Sequence, residues 1–157
     1  MNTNSKEKDV KDEIIEAIEK VSEILGKRLT IPEIEIVDRG YCPHIPPKRL
    51  PDGCAAVYLF IYNGEFLKIG KANKNSHARF ASHHYGFNAL STLAKSICED
   101  KQMQTLGINA DNVKEWIIQN TRRIDIHIKC TNSEWATNLI EAIMHYKYMP
   151  RYEGKTS

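Results

Sequence analysis

AAVYLFIYNGEFLKIGKANKNSHARFASHHY, residues 55–85, is the stretch whose reading decides the fold. It opens as an apolar run, Ala55 to Tyr62, of ordinary strand length. Asn63-Gly64 follows, then a second run, Glu65 to Ile69, that breaks at Gly70. Asn-Gly between two apolar runs predicts a β-hairpin, because both residues accept the positive φ a tight turn needs. Beyond it lies a polar segment with Lys71, Lys74, His77, Arg79, His83 and His84. Between Phe66 and Ile97 there are five Lys or Arg, counting Lys68, and no Asp or Glu. A hairpin that delivers cations without anions predicts an anionic partner, phosphate first.

Register decides which side chains meet. A two-residue Asn63-Gly64 loop pairs Tyr58 with Ile69 and puts Lys68 on the face opposite Tyr58. A three-residue loop, Asn63 to Glu65, pairs Phe60 with Lys68, so that Tyr58 and Lys68 become diagonal neighbours on one face. The chemistry below needs the second register, so a bulged three-residue turn is expected.

Working outward, Val10, Ile14, Ala17, Ile18, Val21, Ile24 and Leu25 recur at helical spacing. They predict a helix over 9–25, acidic on its outer face and closed by Gly26. Residues 1–7 read as a frayed start, and 31–37 as a short alternating strand. Residues 38–53, DRGYCPHIPPKRLPDG, hold four prolines and read as a loop. Helices are expected at 76–85, 90–98 and 108–121. Arg122 to Cys130 alternates and predicts a strand with Ile124, Ile126 and Ile128 inward and Arg123, Asp125, His127 and Lys129 outward. A last helix starts at Ser133 and stops at Pro150, with Trp135, Leu139, Ile143 and Tyr146 as its buried stripe and Glu141 pointing away. The fold class is thus α/β of the α+β type: a small, largely antiparallel, three-stranded sheet (55–62, 65–69, 122–130) flanked by helices, with an N-terminal helical extension. Residues 1–52 form that extension. Residues 53–157 form the main domain, with a helical insertion at about 87–120.

The chain has 157 residues, 41% of them hydrophobic, which suffices for one core without disulfides. Net charge is only +2, so the cationic block is local; Met1 to Val37 carries nine acidic residues against six basic. No apolar run of about 18 residues predicts a membrane span. The start lacks an apolar leader, so a cytoplasmic location with free thiols is expected. Cys42, His44 and Cys54 raise a zinc site, but no fourth ligand stands beside them and a surface loop is the favoured reading.

AVY at 56–58, KIG at 68–70, Lys71, Arg79, His83, Glu141 and the PRY of 150–152 together resemble the GIY-YIG nuclease superfamily. The resemblance covers about two-thirds of the chain, from 53 to 153. Lys68 stands ten positions after Tyr58, and Arg79 eleven after Lys68. Ala56 replaces the first glycine of the pattern, Lys68 the second tyrosine, and Glu153 an asparagine; His83 sits where some members have tyrosine. The resemblance implies a metal-dependent DNA endonuclease, restriction-like or phage-related, acting on double-stranded DNA. Tyr58 would be the general base. A phenol is a poor base unless its anion is stabilised, and Lys68 within about 4–6 Å would do that. Lys71 and Arg79 would hold the scissile phosphate, with His84 as a further phosphate contact. Glu141 would hold one Mg²⁺ (or Mn²⁺) per active site. His83 would orient the water or protonate the leaving group. Cutting both strands with one site implies a homodimer or two successive nicks. The alternative is a catalytically inactive nucleic-acid-binding module of the same fold.

Overall fold

A computed structural model describes residues 9–27, 29, 33–129 and 131–153. The frayed start expected at 1–7, the first two residues of the strand expected at 31–37, Cys130 and the chain beyond 153 lie outside them. Four strands, β1 (Ile34–Asp38), β2 (Ala55–Tyr62), β3 (Glu65–Ala72) and β4 (Arg122–Ile128), form one antiparallel sheet in the order β1-β4-β2-β3. The expected three-stranded sheet is therefore corrected to four. The alternating segment after the Gly26 turn pairs with β4, Ile34 opposite Ile128 and Ile36 opposite Ile126. None of the helices among the described residues is long and apolar enough to cross a membrane.

That extra strand moves β4 from the edge to the interior of the sheet, and its expected solvated face is covered by Phe80 and Tyr85. Arg123, Asp125 and His127 are buried, as are Ile124, Ile126 and Ile128. One side of the sheet packs Val57, Leu59, Ile69 and the β4 isoleucines against α1 (Val10–Ile24) and α6 (Ser133–Tyr148). The other side packs Ala56, Tyr58 and Phe60 against α2 (His77–Ala81), α3 (Leu93–Glu99) and α5 (Val113–Asn120). A short α4 (Lys101–Gln104) joins them. Residues 93–117 supply Leu93, Ile97, Val113 and Ile117 to this second core.

The helix ends follow local chemistry. α1 stops at a glycine with φ of 71°, and the amides of Gly26 and Lys27 return to the carbonyls of Glu23 and Ser22. That is the left-handed closure Gly26 predicts. The helix expected over 76–85 instead breaks. α2 ends at Ala81, and His83–Tyr85 forms a 3-10 turn. The Ser82 hydroxyl donates back to the Ala78 carbonyl, a competing bond that weakens a helix locally.

α6 is rotated from the expected stripe. Ala136, Thr137, Ile140 and Met144 are buried, whereas Trp135 is 77% exposed and Tyr146 89% exposed. Small residues at 136 and 137 let the helix lie close on β2 and β3, where an indole would hold it off. Glu141 consequently sits on the flank of the buried stripe, about a quarter turn from its centre rather than opposite it. After α6, Arg151 and Tyr152 donate their amides to the Phe66 and Leu67 carbonyls, so the tail runs along the outer edge of β3. His145 donates to the Ile69 carbonyl on the same edge (2.8 Å).

Candidate active site

The hairpin resolves its register in a way that combines both expectations. The loop has two residues, Asn63 (φ 48°) and Gly64 (φ 76°), with Tyr62 opposite Glu65. The shift comes later: Ile61 pairs with Phe66 but Phe60 pairs with Lys68, so Leu67 is an extra residue. A β-bulge thus replaces the expected three-residue turn and reaches the same pairing beyond it. Leu67 is driven into the core with Phe60 and Phe80. Gly70 comes opposite Tyr58. A Cβ at Gly70 would lie 2.5 Å from the Tyr58 hydroxyl oxygen and 2.7 Å from Cζ, so only glycine lets the phenol lie across β3 there.

Tyr58 is fully buried, and its oxygen lies 2.5 Å from His84 Nε2. His84 Nδ1 accepts the Leu93 amide (3.3 Å), so it carries no proton. Nε2 therefore carries it and donates to the phenol oxygen. With both nitrogens engaged and the ring buried, His84 braces Tyr58 and has no nitrogen left for the phosphate contact expected of it. Burial pushes the Tyr58 hydroxyl up to about 12, and the cations that oppose this most are Arg79 and Arg123. The expected helper, Lys68, points elsewhere: its Nζ lies 2.5 Å from Glu153 Oε1 and 3.5 Å from Ser91 Oγ. Its charge is felt instead at His84.

Arg79 is exposed in the middle of the short α2, and Glu141 acts electrostatically on the same phenol. Lys71 bridges to α6, with Nζ 2.5 Å from Asn138 Oδ1 and 4.0 Å from Glu141 Oε2. Glu141 Oε2 is shielded from water and has no hydrogen-bond partner among the described residues. A buried carboxylate oxygen without a donor is costly, and a hard cation is one natural way to satisfy it. Glu141 is the residue that fits a divalent ion. No group of three or more His, Cys, Asp or Glu among the described residues is placed to hold one alone. Magnesium is ordinarily held by one or two carboxylates with phosphate and water completing its shell. His83 is half-buried beside His84, and because the helix breaks at Ser82 it does not share a helical face with Arg79.

Behind Tyr58 lies a polar network that sequence reasoning missed. Arg123 is fully buried, donating to Asp125 Oδ1 (2.9 Å), the Tyr85 hydroxyl (3.1 Å) and the Phe80 carbonyl (2.7 Å). Its guanidinium carbon lies 5.0–5.8 Å from the ring centres of Phe80, Phe60, Tyr58 and Tyr85. Arg39 Nε binds the other Asp125 oxygen at 2.8 Å. Tyr85 donates in turn to His44 Nε2 (2.7 Å), whose Nδ1–H donates to the Thr121 carbonyl (2.8 Å). His44 therefore has no free lone pair, while Cys42 is exposed and Cys54 buried. The zinc reading of Cys42, His44 and Cys54 finds no support in this geometry.

Burial holds His44, His84 and His127 below the ordinary histidine range, His84 down to about 3. His127 Nε2 also has no partner among the described residues. A histidine kept neutral by the fold stabilises fully above its unfolded value and loses that stabilisation as pH falls toward its folded value. The window here runs from about 6.5 down to about 3. His84 alone is expected to cost about 2 kcal/mol between about pH 7 and about pH 5, read by urea unfolding at the two values. Equal stability at both would refute the buried, neutral assignment.

No family model matches the chain, nor does any curated protein or solved structure.

Proposed function

We propose that this chain is a metal-dependent DNA endonuclease that hydrolyses phosphodiester bonds, of the GIY-YIG type its motifs resemble. The observation that carries the reading is the orphaned Glu141 oxygen beside Lys71, within electrostatic reach of a Tyr58 phenol that Arg79 also favours in its ionised form. Each part has a task. Arg79 and Lys71 bind the scissile phosphate, and Arg79 moves from the phenol to the phosphate when substrate arrives. It is exposed and long, so the movement costs little. Tyr58 takes the proton of the attacking water, held in line by His84 and Gly70. His83 meets the leaving oxygen. Glu141 holds one Mg²⁺ or Mn²⁺. The ion supplies neutralisation of phosphate and leaving-group charge.

The test is supercoiled plasmid incubated with the protein and Mg²⁺ or Mn²⁺, beside the same mixture with EDTA. Nicked or linear product is expected only where the metal is free. No product with either metal, or product undiminished by EDTA, would end the reading.

The complete burial of Tyr58 and its high pKa favour a second reading, a phosphate-binding module that does not cut. That reading predicts salt-sensitive DNA binding without cleavage in any metal.

A further inference from the structure

The face of α6 that turned outward carries an inference about how DNA is held, and it rests on the nuclease reading. Trp135 was expected inside and is 77% exposed. It borders a cleft of about 430 Å³, lined by Asn73, Lys74, Asn132, Ser133, Glu134 and Trp135 among others, large enough for one nucleotide.

This cleft is the continuation of the proposed site. Trp135, Asn138 and Glu141 are successive neighbours three residues apart along α6. Lys71 touches Asn138 and approaches Glu141, and Lys74 shares the cleft with Trp135. Chain numbers therefore rise along one element as they fall along the other. Six helical residues advance about 9 Å. β3 ends at Ala72, and Lys74 follows in the turn that leads to α2. The two elements thus lay one track, roughly 10 Å long, from the Glu141–Lys71 pair to Lys74 and the indole, about three base steps of a strand.

We propose that Trp135 is a stacking platform for an unpaired nucleotide of the bound DNA strand, with Lys74 on that nucleotide's phosphate. Continuity with the proposed site selects this occupant: the β3 side of the track carries Lys71 and Lys74, while on the α6 side Glu141 is the carboxylate the nuclease reading gives to the metal and Glu134 borders the cleft. An exposed aromatic beside a cationic backbone track is the arrangement that binds single strands without reading sequence. On its other side Trp135 borders a groove of mixed lining, with Leu25, Leu29, Ala136 and Leu139 beside Lys27 and Glu33. A second copy seated there is the competing occupant.

The chain has two tryptophans, and the other, Trp116, packs against Tyr62 with ring centres 4.9 Å apart. Trp116→Phe leaves Trp135 as the only indole emitter. This variant is titrated, in EDTA, with an oligothymidylate and with a duplex bearing a single-stranded overhang. Emission is followed beside the anisotropy of labelled DNA. Saturation is expected to quench Trp135 emission by about half, and Trp135→Ala to weaken binding about ten-fold, as loss of one stacked base does. Trp135→Phe keeps most of the affinity. Lys74→Ala lowers the salt slope by about one. Should Trp116→Phe not fold, fluorine NMR of the wild-type chain with 5-fluorotryptophan reports the two indoles separately. Saturable binding with an unchanged Trp135 signal overturns the platform and leaves the nuclease reading standing. Absence of both binding and cleavage overturns the two together. Shielding of Trp135 from iodide that grows with protein concentration, without DNA, assigns the surface to a second copy and overturns the proposal.

Discussion

Arg123→Met is expected to lower the stability of the fold by about 3–5 kcal/mol, the loss seen when one partner of a buried ion pair is removed. For a domain of this size the melting temperature should fall on the order of 10 °C. The cause is what stays behind. Asp125 is fully buried and would keep only Arg39. The Tyr85 hydroxyl and the Phe80 carbonyl would each lose a donor. Methionine fills much of the volume, so the deficit is electrostatic rather than a cavity. Adding Asp125→Asn should recover much of the loss, because a neutral amide does not need the second cation that the buried carboxylate has lost. Arg39, half-exposed, can turn to water. Thermal melts of the wild type, the single and the double variant check this. A single variant within about 1 kcal/mol of wild type would show that the cluster does not hold the fold together.

Tyr58→Phe and Glu141→Gln are each expected to reduce DNA cleavage by about a thousand-fold or more, within the range of removing a general base or a metal ligand. Neither should change binding measured in EDTA by more than a few-fold, since Arg79 and Lys71 remain. The two differ in stability. Glu141→Gln removes a part-buried carboxylate that lacks a hydrogen bond at Oε2 and has only a 4.0 Å ion pair with Lys71, and should change the melt little. Tyr58→Phe strands the His84 Nε2–H and should cost about 1–3 kcal/mol. The pH profile separates their chemistry. With the phenol held near 12, only a small fraction is ionised at neutral pH, and that fraction rises about ten-fold per pH unit. The wild-type rate should climb accordingly, and the residual rate of Tyr58→Phe should not. A full-strength Tyr58→Phe enzyme would remove Tyr58 from the reaction.

What could be read in advance was mostly local. Asn63-Gly64 announced its turn, because two positive-φ residues serve few other purposes there. Gly26 announced the end of α1 for the same reason. The pairing of β2 and β3 beyond the bulge was also accessible, but only by asking which register brings the polar residues together. Other features depend on distant partners. Arg123, Asp125 and His127 alternate with isoleucines in a pattern that reads as half-solvated. Their burial follows from Phe80, Tyr85 and Arg39 packing over that face, none adjacent in sequence. α6 carries apolar residues at two competing offsets, and the contact with β2 and β3 chooses the smaller ones. His84 rather than His83 braces Tyr58 because the helix breaks at Ser82, a break the helical spacing conceals. Lys68 was placed correctly on the strand and paired wrongly. Its partner, Glu153, stands 85 residues away.

The tail along β3 has a consequence for the behaviour of the chain in solution. An edge strand with open amides and carbonyls is a template for any other extended segment, and in a hydrophobic strand it seeds aggregation. Here the Phe66, Leu67 and Ile69 carbonyls are already taken by Arg151, Tyr152 and His145. Arg151 and Tyr152 are anchored in turn through Asp100. The opposite edge, β1, carries Glu35 beside Lys129 of the lysine-ended β4 segment, charges that discourage a flat hydrophobic docking. The hairpin is thus kept from recruiting other hairpins by two residues just after α6 and one histidine within it.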